Sequence, residues 1–459
     1  MLIASISGIR GTIGGIPKEN LTPVDVVEFV SAYGTWVLKK NTNPTVCVGR
    51  DGRASGKMIL DLTIQTLVGL GINVIDLDYA TTPTVEMATV SASADGAIII
   101  TASHNPKPYN GLKMLNSEGE FLSAQDGQEI LDIRANGTYL YADINSLGCI
   151  TKSYNHTRDH IQKILDLDLV DAGLVSAQNY TIAVDAINSV GGIAVPMLLE
   201  KMGVNVVGLN LEPNGDFQHQ PEPLRENLGE IMSLVPKTRA DLGIVVDPDV
   251  DRLVLIDENG EMVNEEYGLV MVSDYVLSQT PGSCVSNLSS SRALRDVAEK
   301  HDVVYAASAV GEKNVVEKMK EINAVIGGEG SGGIIYPELH YGRDALVGIA
   351  LFLTALAREK TTVSKMRTYY KDYFMVKDKI ELPDRSVVLP ILEKLFTDHA
   401  QKYECSDIDG VKINFEDSWI HIRASNTEPI LRIYTEAPTS EQAASIAQTY
   451  SQKIQDFLN

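Results

Sequence analysis

Ser103 closes an apolar run, Ala97-Ile98-Ile99-Ile100-Thr101-Ala102-Ser103-His104-Asn105-Pro106, and a hydroxyl in that place can carry a phosphoryl group. A short apolar run bounded by turn formers predicts a buried strand that holds the hydroxyl out on a rigid end, and Pro106 keeps Asn105 out of helix. A Ser/Thr-rich turn that merely closes a strand is the plain alternative. A second group is three aspartates at alternate positions, in Asp247-Pro248-Asp249-Val250-Asp251-Arg252, flanked by apolar runs. Three crowded carboxylates repel unless a cation sits among them. Hard oxygen ligands suit Mg²⁺ with positions left open for phosphate, and the loop is too short for an EF-hand. A solvated acidic turn is the alternative, and the apolar flanks argue against it. Arg252 follows directly, placed to hold a phosphate beside the cation.

Two further loops lie between strand-like runs. In Gly328-Glu329-Gly330-Ser331-Gly332-Gly333 the glycines resemble a dinucleotide fingerprint only superficially, since no helix follows. Glu329 and Ser331 are better suited to sugar hydroxyls, and Arg343, shortly downstream, is a further substrate-binding candidate. In Arg423-Ala424-Ser425-Asn426-Thr427 the side chains of Arg423, Ser425, Asn426 and Thr427 with free backbone N–H groups predict a phosphate cradle. Arg10 sits among glycines near the N-terminus, where a plain glycine-rich turn is the alternative. Lys113 should return on a strand adjacent to Ser103, with a solvated lysine as the alternative. Gly49-Arg50-Asp51-Gly52-Arg53 places two arginines at a strand end, where α/β folds put ligands. A surface Arg–Asp pair in a turn is the competing reading, and it is weighted more toward Arg53 than toward Arg50.

The elements that position these groups recur. A strand over 46–51, a helix over 57–68 and a strand over 72–77 are followed by the same order at 181–185, 192–201 and 204–209, and again at 284–286, 291–300 and 303–306. Three β-α-β units of similar length predict three related α/β domains with parallel or mixed sheets. A long apolar helix over 345–357 is expected to be core. The last segment reads as a smaller α+β domain starting near Tyr373 and closed by a helix from about Glu441. With 459 residues the chain is too long for one core. The expected boundaries are 1–150, 151–257, 258–372 and 373–459.

A net charge of -22 argues against nucleic-acid binding but leaves room for a locally positive pocket. The cysteines, Cys47, Cys149, Cys284 and Cys405, are widely spaced and predict neither a disulfide framework nor a zinc site. A reducing, cytoplasmic setting follows. Neither a signal peptide nor a membrane span is expected.

Taken together, "TASHNP" at 101–106, "DPDVDR" at 247–252, "GEGSGG" at 328–333 and "RASNTEP" at 423–429 resemble the α-D-phosphohexomutase family in order and spacing, over essentially the whole chain. The resemblance implies three related α/β domains and a smaller α+β domain around one cleft. It implies that Ser103 carries the phosphoryl group and that Asp247, Asp249 and Asp251 hold Mg²⁺ with an oxygen of the phosphoserine. Arg10, Lys113 and Arg252 are then the cations around the transferring group, with Lys113 or His104 assisting proton movement. Glu329 and Ser331 hold sugar hydroxyls, and the 423–427 segment holds the distal phosphate. The implied reaction interconverts hexose 6-phosphate and hexose 1-phosphate through a hexose 1,6-bisphosphate. The 328–333 loop and the length look most like bacterial enzymes described as phosphoglucosamine mutases, which makes glucosamine phosphate the expected substrate. Mannose or glucose phosphate is the first alternative, and a sugar bisphosphatase or a non-catalytic sensor are remoter ones. Oligomeric state is not readable.

Three departures from the family pattern bear on the site. Pro248 and Val250 stand where many members have glycine, so the aspartate loop is expected to close without positive φ at either. Gly333 stands where many have histidine, which moves any acid/base role there, to His340 or Lys113. The N-terminal segment also lacks the usual Phe-Gly-Thr lead.

Overall fold

The computed structural model describes residues 2–5, 8–425 and 430–458. Within them the strands form four sheets, of seven, four, four and five strands. The first three share a four-strand motif. In the first, Asn73–Tyr79, Thr45–Arg50 and Gly96–Ile100 run parallel in that order, and Tyr109–Leu115 returns antiparallel beside Gly96–Ile100. The second repeats this with Asn205–Leu209, Thr181–Asp185, Leu242–Val246 and an antiparallel Leu253–Ile256. In the third, Tyr305–Ser308, Cys284–Asn287, Ile326–Glu329 and Gly333–Ile335 do the same. The Ser103 loop, the aspartate loop and the Gly-rich loop are therefore topologically equivalent. Each joins the third strand of its motif to the returning fourth, beyond the C-terminal end of a parallel strand, where α/β sheets place ligands.

Strand Gly96–Ile100 shows why its sequence is continuously apolar, for all five residues are buried. Ile98 and Ile100 pack on one face against Phe29, Val30, Ile59 and Leu60, and Ala97 and Ile99 pack on the other against Leu77 and Val85. A strand covered on both faces needs no polar alternation. The first helix, Pro23–Leu38, begins at Thr22 with proline at its first position, and Asp25 accepts the Thr22 N–H at 3.0 Å.

The second and third sheets share a core. One buried cluster runs from Ile161 to Tyr373 and is centred on helix Ala345–Glu359, of which every residue through Ala357 is buried. The last sheet is antiparallel throughout, Phe374–Glu381, Ile430–Ala437, Trp419–Ala424, Val411–Asn414 and Glu404–Ser406, and packs against helices Val388–His399 and Ser440–Leu458. All four cysteines are free thiols, and no helix among the described residues is long and apolar enough to cross a membrane.

Candidate active site

Ser103 is held in the left-handed region, with φ of 46°, a conformation few non-glycine residues adopt. What stabilises it is Arg53. Its guanidinium donates to four backbone carbonyls of the loop, Ser103 and Asn105 at 2.6 Å each, Tyr109 at 2.8 Å and Pro106 at 3.1 Å. Asp51 takes its Nε at 3.1 Å and also accepts from Thr101 Oγ1 at 2.7 Å, while Thr101 Oγ1 accepts the Ser103 N–H at 2.9 Å. Arg53 is only 2% exposed, so the surface reading of this arginine is wrong. Satisfying four converging carbonyls takes a planar multi-donor group, and folding brings them to it from sequence positions 50 or more away. Arg50 pairs with Asp78 at 2.6 Å and stacks on Tyr79.

The aspartate loop faces this hydroxyl. Ser103 Oγ donates to Asp247 Oδ2 at 2.9 Å, and His104 Nδ1 lies 3.4 Å from the same Oγ. Asp247, Asp249 and Asp251 are fully buried, and each offers an oxygen within 4.8 Å of the others. Val250, between them, has φ of 64°, which overturns the expectation that the loop closes without positive φ. The strained backbone is held from three sides: the Thr82 N–H donates to Asp249 O at 2.9 Å, the Ala345 N–H to Val250 O at 3.2 Å, and Ser189 Oγ to Pro248 O at 2.5 Å. Strain of this kind persists where surrounding structure over-determines it.

Charge at the loop is unevenly compensated. Lys113 Nζ donates to Asp249 Oδ2 at 2.7 Å and Asp251 Oδ2 at 3.2 Å, and Arg343 donates to Asp251 Oδ2 at 2.8 Å. Burial penalises the Asp251 charge, yet Arg343, Lys113 and Arg252 together hold its carboxyl below the usual range. Burial, then Asp251 and Asp249, push Asp247 up. Burial opposes the Lys113 charge too, but Asp249 and Asp251 raise it well above the ordinary lysine range. Asp249 Oδ1 and Asp251 Oδ1 are buried without a hydrogen-bond partner. Unsatisfied buried carboxylate oxygens are costly, and a hard divalent cation is the group these donors fit.

The other expected residues lie around this centre or, for Arg423 and Ser425, at the end of a strand of the last sheet. Arg10, exposed on strand Gly8–Thr12, reaches Asn105 Oδ1 at 3.3 Å. Arg252 is nearly buried, its Nε without a partner and its nearest carboxylate Glu222 at 3.8 Å. His104 is pushed down to about 3 by burial and by Arg252, so it stays neutral. Glu329 is not free: Asn287 Nδ2 and the Gly311 N–H donate to Oε1 at 2.8 and 3.0 Å, and Arg343 lies 3.1 Å from Oε2. Ser331 is half-buried at the loop tip. Arg423 donates to Asp409 Oδ2 at 3.2 Å and keeps a buried Nε unpaired, and Ser425 is buried with its N–H on Ile430 O at 3.0 Å. Asn426 and Thr427 lie outside the described residues.

Of two further arrangements, the sequence named only His340. Thr82 Oγ1 donates to Asp249 Oδ2 at 2.7 Å, and only the helix-start signal Thr81-Thr82-Pro83 marked that segment. His340, Asp344, His160 and Glu86 form a buried group in which His160 lies 2.9 Å and His340 3.4 Å from Asp344 Oδ2, and Glu86 lies 3.3 Å from His340. Asp344 also caps helix Ala345–Glu359. His340 is thus tied into a junction behind the aspartate loop.

The chain matches known proteins along its length. Family descriptions for phosphoglucomutase/phosphomannomutase match in four parts: alpha/beta/alpha domain I at residues 3–140, domain II at 158–260, domain III at 264–373 and the C-terminal domain at 374–452. A Thermococcus kodakarensis protein described as phosphoglucomutase/phosphomannomutase is 34% identical, covering 94% of this chain and 95% of its own. The chain belongs to the phosphoglucomutase/phosphomannomutase family. It is a mutase of the phosphohexomutase superfamily, an isomerase. A probable phosphoglucosamine mutase of Methanopyrus kandleri is 32% identical over 96% of this chain and 95% of its own. The fold matches a crystal structure of a family protein from Burkholderia thailandensis with a TM-score of 0.84 and 24% identity, over 98% of this chain and 97% of that one.

Proposed function

We propose that this mutase interconverts hexose 6-phosphate and hexose 1-phosphate through a hexose 1,6-bisphosphate, with glucosamine 6-phosphate to glucosamine 1-phosphate as its preferred reaction. The observation that carries the reading is the Ser103–Asp247 hydrogen bond, which sets a strained serine hydroxyl against carboxylates with unsatisfied oxygens. Asp247, Asp249 and Asp251 would hold Mg²⁺ with a phosphoserine oxygen, and the ion supplies neutralisation of phosphate charge.

In the forward half-reaction the P–O bond to Ser103 Oγ breaks as a new P–O bond forms to a sugar hydroxyl. The hydroxyl's proton leaves through the neutral His104, and Ser103 Oγ regains a proton. Such transfers depend on in-line placement and charge stabilisation more than on covalent activation. Arg10, Lys113 and Arg252 stabilise the transferring group. Glu329 and Ser331 orient the sugar, and Arg423 with Ser425, Asn426 and Thr427 holds the other phosphate. The bisphosphate turns end for end, and Ser103 takes the second phosphoryl group back. Free thiols and acidic charge suit a cytoplasmic enzyme of small phosphorylated sugars that does not bind nucleic acid.

Phosphomannomutase/phosphoglucomutase activity is the second reading, favoured by the description of the Thermococcus kodakarensis relative. Conversion of glucosamine, glucose and mannose 1-phosphates, followed by ³¹P NMR with Mg²⁺ and a trace of the matching 1,6-bisphosphate, separates the two. Preference for glucosamine phosphate supports the first, preference for glucose or mannose phosphate the second, and release of inorganic phosphate refutes both.

A further inference from the structure

Gly333 leaves a space that another residue uses. A Cβ built on it would meet Arg343 Cδ at 2.3 Å and Cγ at 3.0 Å, closer than real side chains approach. Arg343 runs through the volume that any side chain at position 333 would occupy. Beyond it the guanidinium meets three carboxylates from three segments. Nε donates to Glu312 Oε2 at 3.0 Å, Nη1 lies 3.1 Å from Glu329 Oε2, and Nη2 donates to Asp251 Oδ2 at 2.8 Å. The Arg343 N–H adds Glu312 Oε1 at 3.0 Å, and two residues on the Ala345 N–H holds Val250 O at 3.2 Å. Burial disfavours its charge, but Asp251, Glu312 and Glu329 hold the group firmly as a cation.

From this geometry we infer that Gly333 and Arg343 are a matched pair, in which the missing side chain lets Arg343 couple the sugar loop to the aspartate loop. Arg343 is then a positioning residue and makes no direct contact with the sugar. The chemistry requires this residue type. A guanidinium presents five donors in a rigid plane and serves three carboxylates at once, which an ammonium on a flexible stem cannot match. When a sugar hydroxyl engages Glu329, the balance of the shared guanidinium moves toward Asp251. Sugar phosphate and divalent cation should therefore influence each other's binding reciprocally. The inference rests on reading 328–333 as the sugar loop and 247–251 as the cation site.

The test is a double-mutant cycle on Gly333→Ala and Arg343→Ala, read by Mn²⁺ binding in EPR without substrate, and by kcat and KM with it. Each single change should weaken Mn²⁺ binding by about ten- to a hundredfold, as loss of a group orienting metal ligands does. The double variant should be no worse than Arg343→Ala, because the arginine is what the added methyl displaces. Added guanidinium ion should partly restore Arg343→Ala, while Arg343→Lys should stay impaired. Additive losses in the double variant, or wild-type Mn²⁺ affinity in a folded Arg343→Ala protein, would overturn the inference. Mn²⁺ binding is read without turnover, so failure of the mutase reading leaves this test intact.

Discussion

Ser103 Oγ hydrogen-bonds to Asp247 Oδ2 at 2.9 Å across 144 positions of sequence, joining the third-to-fourth-strand loop of the first sheet to its topological counterpart in the second. The serine hydroxyl and the aspartate cluster thus come from two copies of one structural motif.

Replacing Ser103 with Ala removes the hydroxyl proposed to carry phosphate, together with its hydrogen bond to Asp247. Turnover should fall to background while calorimetric binding of hexose phosphate persists. Full activity in this variant would refute the assignment.

Arg53 should matter for both folding and catalysis. Arg53→Ala leaves buried Asp51 and four loop carbonyls without their partner. Breaking a buried pair of this kind costs about 3 to 5 kcal/mol, measurable by urea unfolding. Arg53→Lys should recover part of the stability but not the activity, because one ammonium cannot hold four carbonyls in place. Equal recovery of both would show that the clamp does not position Ser103.

Divalent cation should stabilise the fold. Asp249 Oδ1 and Asp251 Oδ1 lack partners, so a bound ion removes a cost present in the folded state only. At a hundred times its Kd, Mg²⁺ should add about 2.7 kcal/mol, seen as a higher Tm. Asp249→Asn should abolish the Tm response to Mg²⁺. An unchanged Mg²⁺ response in that variant would place the ion elsewhere.

Stability should also fall in mild alkali. Burial opposes the His340 charge, but Asp344 and Glu86 raise its pKa from 6.5 to about 10. Glu86 is raised to about 8, chiefly by burial. The folded state therefore holds protons that the unfolded chain has released: the Glu86 contribution is lost as pH rises from 4.5 to about 8, and the His340 contribution as it rises from 6.5 to about 10. Tm should decline between about pH 7 and 10 in the wild type, and this decline should be much shallower in His340→Gln. Equal slopes would locate the titration at another group.

The strands and their loops were legible because their signals are local: apolar runs of strand length, glycines, and chemistry-bearing residues between them. The threefold repeat at 46–77, 181–209 and 284–306 gave the motif, which the sheets reproduce with shifts of one or two residues. What sequence did not show depends on distance. Arg53 reads as a turn arginine until folding brings the 103–109 carbonyls to it. Val250 was expected to avoid positive φ on residue preference alone, whereas hydrogen bonds from Thr82, Ser189 and Ala345 impose that conformation. Glu329 has the side chain of a sugar ligand, yet its pairing with Arg343 depends on an absent side chain at 333. The common core of the second and third sheets, built on a helix that looked like ordinary interior, was likewise invisible to segment-by-segment boundaries.

The most direct test of the central claim is to incubate the protein with Mg²⁺ and glucose 1,6-bisphosphate, remove free ligand, and locate any phosphate by mass spectrometry before and after adding a hexose phosphate. One phosphate is expected, on Ser103, stable in buffer and passing to the added sugar phosphate to form a bisphosphate. Phosphate on another residue, none at all, or loss only as inorganic phosphate would contradict the claim.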